Sequence, residues 1–387
     1  MRVTAVETIV VDARLRNWVF VKVTTDEGLA GWGEASLEWK TRAVTGAVED
    51  LASLVIGEDP FRIEHLWQSM FRQQFFKGGV VTMSAISGIE QALHDLKAKA
   101  LGVPLYELLG GRVRDRVRLY DHLGGGDSQS VYEDATPASF AERARESVRD
   151  GFTALKILAV PTARPLEGGR WLREAESLMG AVREAVGDDV EVMVDLHGRT
   201  TPAAAIQVGR ALAPFRPWFL EEPVQPGNVD ALVEVARAVP VPIATGERLV
   251  TRWEFAELFA RRACAVVQPD VCHCGGIAEL RRIAAMAETA FVGVAPHNPL
   301  GPVATAVNVH LALATPNFLI QEVMRADVPW RDEVLDAPLE IVDGHVLPPT
   351  RPGIGVEIDE AAAAEHPYRE EPPLARVFHE DGAVADW

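Results

Sequence analysis

The chain changes its hydrophobic rhythm three times. Over residues 1–35 apolar and polar positions alternate through VTAVETIVV and NWVFVKVTT and on into GLAGWGEA. A period of two is the mark of strands buried on one face. TDEG at 25–28 carries turn chemistry between the last two runs, so the stretch predicts an antiparallel meander. Between residues 41 and 110 the spacing becomes helical. TRAVTGAVEDLASLV and MSAISGIEQALHDLKAKALG each gather apolar residues on one face, and the second stops at Gly102 ahead of a proline. Residues 1–112 therefore read as a small α+β domain.

From Val117 the text becomes repetitive. Short apolar runs appear at VRLYDHL, ALKILAV, EVMVDLHG, WFLEEP, PIATGE, AVVQPDV, VGVAPH and FLIQEV. Helical segments separate them, among them SFAERARESVRDGF, LREAESLMGAVREAV, ALVEVARAV and IAELRRIAAMAETA. Eight strands alternating with helices over residues 113–334 predict an α/β fold, a modified TIM (β/α)₈-type barrel. A doubly wound open sheet is the alternative, weakened because no GxGxxG loop follows the first strand. The tail, 335–387, returns to strand-like and proline-rich text and is long enough to pack back on the first domain.

Composition narrows the partners. The net charge of −18 over 387 residues argues against nucleic acid and anionic membrane, both of which need basic surface. No apolar run reaches the length of a membrane span, and the first residues lack a signal-peptide pattern, so a cytoplasmic location is expected. The three cysteines, Cys264, Cys272 and Cys274, cannot build a disulfide framework. DVCHCGG invites a zinc reading, but no second ligand cluster accompanies it.

The chemistry lies where the barrel runs stop. The third run ends at Asp195, the fourth at Glu221 and the fifth at Glu247; the sixth ends at Asp270, the seventh at His297 and the eighth at Glu322. Barrel active sites lie at the C-terminal mouth of the strands, so these six side chains are expected to converge. Taken alone, each acid also fits a helix cap or turn. Three carboxylates on adjacent strands repel one another unless a cation sits between them, and an oxygen donor set suits Mg²⁺. Asp270 and His297, on neighbouring strands, are expected to pair, the carboxylate orienting the imidazole as a base. His197, two positions after Asp195, is expected to share its side of the strand and to act as an acid. Lys156 offers positive charge near a bound carboxylate, with a plain salt bridge as the alternative.

These residues resemble the enolase superfamily, mandelate racemase subgroup, and within it most resemble the D-galactonate dehydratases. DLHGR, FLEEP, TGER, QPDVCHCGGI, APHNPLGP, IQEV and PGIGVEID carry the likeness, with GWGE, GGVVTMSAISGIEQALHDLKAKALG and YELLGG in the first domain. The resemblance implies a capping role for the N-terminal domain, completed by the C-terminal tail, and a homo-oligomer. It also implies Mg²⁺ on Asp195, Glu221 and Glu247, and a small-molecule sugar acid as substrate. His297, aided by Asp270, would take the carbon-2 proton. His197 would protonate the departing 3-hydroxyl, and a protonated Glu322 would donate to the enediolate. The expected product is a 2-keto-3-deoxy acid, with galactonate the first choice of substrate. Other sugar acids (gluconate, fuconate, an aldarate), a cycloisomerisation through the same enediolate, and a non-catalytic sugar-acid binder are the alternatives. Members that racemise carry a second lysine two positions after the first; here that position is Leu158. Asn17 and Trp39 depart from the family pattern in the capping loops, and YDHLGGGDSQSVYEDATP is unusually long and polar. Asp121 and His122 are candidates for reading distal hydroxyls.

Overall fold

The computed structural model describes residues 1–123, 136–158, 160, 162–324, 327–371 and 377–386. Most of the polar segment after the first barrel strand, residues 124–135, lies outside them. The meander is present as β1 (Val3–Ala13), β2 (Arg16–Thr25) and β3 (Ala30–Glu34), antiparallel and in that order. Gly28, at φ 79, closes the TDEG turn in a conformation that favours glycine. Three helices follow, α1 (Thr41–Ala52), α2 (Ile63–Arg72) and α3 (Val80–Ala100). They cover the sheet through a core that includes Val19, Val21, Val44, Leu66, Trp67, Ile86 and Leu93. Short α4 (Leu105–Leu108) leads out. The GWGE motif has a packing reason. A Cβ on Gly31 would come within 2.1 Å of the Ala92 carbonyl, and one on Gly33 within 2.0 Å of the Gly88 carbonyl, so only glycine lets β3 lie against α3.

Eight parallel strands then alternate with helices. The strands are β4 (Val117–His122), β5 (Ala154–Ile157), β6 (Glu191–Asp195), β7 (Leu220–Glu221), β8 (Ile243–Thr245), β9 (Val266–Val267), β10 (Gly293–Val294) and β11 (Gln321–Val323). The intervening helices are α5 (Pro137–Arg149), α6 (Gly169–Val186), α7 (Pro202–Leu212), α8 (Val229–Ala238), α9 (Arg252–Arg261), α10 (Ile277–Thr289) and α11 (Pro302–Ala314). Neighbours pair in sequence from β4 to β10, and β11 returns to pair with β4. The segment entering β11 also bonds to β10: Val294 donates to the Asn317 carbonyl and Leu319 to that of Val294. The sheet thus curls back on itself as a (β/α)₈-type barrel. Its interior is plugged by one side chain from each strand or its flank: Tyr120, Ala154, Met193, Phe219, Ala244, Val266, Ala295 and Ile320. Large and small residues interleave, so the barrel interior is a packed core rather than a pore.

The tail is shared between the two parts. The hairpin β12 (Ile341–Val342) and β13 (His345–Val346) adds to the start of β4. Further on, Gly353 bridges Pro104, Ile354 donates to Asp95 at 2.8 Å, and α12 (Glu360–Ala364) lies against β1.

Two buried carboxylates fasten the N-terminal layer to the barrel. Glu34 accepts from the amides of Gly301 (2.7 Å) and Ala304 (2.8 Å) at the start of α11. Glu90 accepts from Ile277 (2.7 Å) and Ala278 (2.9 Å) at the start of α10. Both use the unpaired amides and positive dipole end of a helix N-terminus. Among the described residues no helix is long and apolar enough to cross a membrane. Glu34→Ala strands two amides in a buried interface; thermal unfolding should show it destabilised by about 2–5 kcal/mol, from the cost of unpaired buried polar groups. An unchanged melting point would remove Glu34 from this role.

Candidate active site

The six residues do come together, although Glu247, Asp270 and His297 lie in the loops two or three residues beyond β8, β9 and β10 rather than at the strand ends. Ligand oxygens of Asp195, Glu221 and Glu247 all lie within 4.8 Å of one another. Parallel register makes this possible: Asp195 pairs directly with Glu221 across β6 and β7, and Glu247 follows β8 by two residues. Of the two glutamates in LEEP, only Glu221 joins the group. Glu222 has a left-handed φ of 43 and turns away, accepting from Arg248 Nε at 2.7 Å and from Thr245.

Basic side chains surround the three carboxylates. Lys156, buried on β5, reaches Glu221 and Glu322 at 2.7 Å each and Asp195 at 3.6 Å. His197 Nε2 lies 3.2 Å from Asp195, and His297 Nε2 lies 3.5 Å from Glu247. The two imidazoles therefore lean on opposite ends of the trio. On its other side, His297 Nδ1 is 2.7 Å from Asp270 Oδ2.

The charges follow from these contacts. Burial raises Glu221 well above the usual carboxylate range, Lys156 opposing it and the neighbouring acids adding to it. Burial also raises Glu247, against the pull of His297. Asp195 is driven the other way: His197 and Lys156 outweigh its burial. For His297, burial works against a charge, yet Glu247, the hydrogen bond to Asp270 and Glu322 push it up to about 10.

Several expectations need correction. Asp195 and His197 do not share a face by strand alternation. The strand stops at Asp195, and His197, at φ 51, is folded back by a left-handed turn in which its amide donates to Asp195 at 2.9 Å. Glu322 is not arranged to be protonated. Its burial is outweighed by Lys156 and His122, the Asn298 amide donates to it at 2.8 Å, and it stays an ionised acceptor. The capping residues are shifted by one position: Arg16, Leu37 and Glu38 line the cavity. Asn17 instead exchanges hydrogen bonds with the Arg369 backbone in the tail, and Trp39, at φ 53, is not among the lining residues. Asp121 is buried and accepts from Ser147 on α5, while His122 faces the cavity beside Glu322 at 3.3 Å. Among the cysteines, Cys272 and Cys274 are buried thiols raised by burial, and neither joins a cluster of metal-ligating side chains among the described residues.

The cavity measures about 360 Å³ and is floored by Lys156, Asp195, His197, Glu247 and His297. Arg248 and His273 complete its polar wall, a pair that sequence reasoning missed. The donor set fits a hard divalent cation. It consists of carboxylate oxygens alone, and Glu221 Oε2 is buried with no hydrogen-bond partner among the described residues.

Known proteins resemble the chain along nearly its whole length. Residues 3–110 match the N-terminal domain model of mandelate racemase / muconate lactonizing enzyme, and residues 139–362 the enolase C-terminal domain-like model. The chain belongs to the mandelate racemase subgroup of the enolase superfamily, and it is an enzyme. A protein named D-galactonate dehydratase from Ralstonia nicotianae is 40% identical over 96% of each chain. Another of that name from Verminephrobacter eiseniae is 41% identical over 100% of both. Among solved structures, an Agrobacterium radiobacter enolase bound to sodium and L-malate superposes with a TM-score of 0.89, at 36% identity over 100% of both chains. A Salmonella Typhimurium member of the superfamily gives 0.89 at 34% identity, covering 95% of this chain and 98% of its own.

Cation binding here should be linked to protons. Neutralising Glu247 removes the leading cause of the raised His297, so binding should expel a proton and affinity should climb from pH 7 to 9. Calorimetry in buffers of different ionisation heat measures this. Binding without proton release would contradict the arrangement.

Proposed function

We propose that the protein is a Mg²⁺-dependent sugar-acid dehydratase that converts an aldonate, galactonate first, to a 2-keto-3-deoxy acid. One observation carries the reading: an imidazole–carboxylate pair at one end of a three-carboxylate cluster and a second imidazole at the other. Dehydration needs that separation. One group must take a proton from carbon 2 while another delivers one to the oxygen leaving carbon 3. Relatives named D-galactonate dehydratase along the full chain support the aldonate, and a neighbour described as a galactarate dehydratase, bound to sodium and L-malate, supports a sugar acid as the substrate class.

Asp195, Glu221 and Glu247 would hold Mg²⁺, whose charge makes a carbon acid beside a carboxylate acidic enough to ionise. Asp270 accepts from His297 Nδ1, leaving Nε2 to take the proton from carbon 2. His297 must be neutral for this, and neutralisation of Glu247 removes the main influence holding its charge. His197 gives its proton to the 3-hydroxyl, which leaves as water. The enol so formed tautomerises at carbon 3 to the keto acid, and each histidine resets its proton with solvent. Lys156 contributes positive charge toward the substrate carboxylate, and Glu322 holds Lys156 and the Asn298 amide in place. Leu158, buried and apolar, offers no second base, which disfavours two-base epimerisation.

A panel of aldonates and aldarates with Mg²⁺ tests the assignment, including gluconate and fuconate, by detection of 2-keto-3-deoxy products. Glu221→Gln should lose Mg²⁺ binding and turnover together; activity retained without added metal would contradict the ligand set. His297→Asn should abolish both dehydration and carbon-2 exchange in heavy water, each by about 10²–10⁴-fold. His197→Asn should slow dehydration by a similar factor while exchange persists. Equal loss of both in the His197 variant would overturn the division of labour. Binding of a sugar acid with neither exchange nor product would make the protein a binder.

A further inference from the structure

We propose that His273 is a specificity-determining residue, an acceptor for one distal hydroxyl of the substrate on the His297 side of the cavity. The inference rests on the dehydratase reading and extends it.

His273 lies on the loop after β9, three residues beyond Asp270, buried with its ring lining the cavity. Its Nδ1 is 2.8 Å from Ser84 Oγ on α3, in the N-terminal layer. The Ser84 hydroxyl also lies 2.7 Å from the Val80 carbonyl one turn back. A carbonyl has no hydrogen to give, so the single hydroxyl proton of Ser84 goes to Val80. Ser84 can then only accept from His273, and Nδ1 must carry the ring proton. In the neutral ring the lone pair therefore sits on Nε2.

That nitrogen is not spent on Asp270. The distance from Nε2 to Asp270 Oδ2 is 3.7 Å, beyond hydrogen-bond reach. Both Asp270 oxygens are already served, Oδ1 by the Cys272 amide at 2.7 Å and Oδ2 by His297 at 2.7 Å. The cavity thus offers an oriented acceptor beside the base, and a polyhydroxy acid supplies the matching donor. α3 and α2 fix the rest of the loop as well. Gln91 donates to the Val271 carbonyl at 3.1 Å, the Gly275 amide donates to Ser87 at 2.9 Å, and Trp67 donates to the Gly275 carbonyl at 2.9 Å. The acceptor is held rigidly enough to discriminate between hydroxyl configurations.

The test uses the full-length protein with Mg²⁺, the preferred aldonate, and analogues singly deoxygenated at carbons 4, 5 and 6. His273→Leu should lower kcat/KM for the parent aldonate about 10- to 100-fold, mostly through KM, because the bond is made equally before and during reaction. Carbon-2 exchange at saturating substrate should stay within a few-fold of wild type. The loss should vanish for one deoxy analogue, the one lacking the hydroxyl that His273 reads. Ser84→Ala, which keeps the imidazole but frees its tautomer, should show a smaller loss that vanishes for the same analogue. A loss of equal size on every analogue, or a fall in saturated exchange, would make His273 a support for Asp270 and overturn the proposal. Unchanged kinetics on the parent would overturn it too. If wild type turns over no sugar acid at all, the dehydratase reading fails and this assignment falls with it; the other outcomes leave that reading standing.

Discussion

Three carboxylates crowded within 4.8 Å at a barrel mouth are the constraint around which the rest is arranged. Buried like charges are costly, and the chain meets that cost with basic side chains placed beside each acid. Lys156 bridges Glu221 and Glu322, His197 leans on Asp195, and His297 leans on Glu247. The same arrangement sets the chemistry. Glu247 and Asp270 favour the charged form of His297, so a cation taken up by the acids would weaken that hold and favour the neutral imidazole that the proposed reaction needs.

The second requirement is that the layer over the barrel be fixed to it. Glu34 and Glu90 cap α11 and α10, the helices that follow the loops after β10 and β9. Those loops carry His297 and Asp270. The N-terminal layer therefore does more than roof the cavity: through α3 it holds the loop of Asp270 and orients His273. Gly31 and Gly33 let β3 approach α3 closely enough for this, and Asp95 ties the tail to the same helix. The loops of Asp270 and His297 and the capping segment form one packed unit.

The sequence made the architecture and the ionic cluster legible for a physical reason. Barrel strands buried on both faces are short apolar runs, and the residue that ends each run must face the mouth. Asp195, Glu221, Glu247, Asp270, His297 and Glu322 were readable because position along a strand fixes position in the barrel. The helix α2 was overlooked, although Ile63, Leu66, Trp67 and Met70 carry helical spacing.

What the sequence could not decide were matters of backbone turn and distant contact. The left-handed residues His197 and Glu222 send one side chain back to Asp195 and the other away from the mouth, and no alternation rule foresees that. Arg16, Leu37 and Glu38 line the cavity in place of Asn17 and Trp39 because the loop path sets which neighbour points inward. Glu322 is an acceptor because donors from three other segments surround it. Ser84 and His273 are 189 residues apart, and only packing α3 against the barrel makes one fix the proton of the other. Local periodicity determined the fold and the cast of ionisable groups; tertiary contact alone assigned their orientations and charge states, since both depend on neighbours far away in the chain.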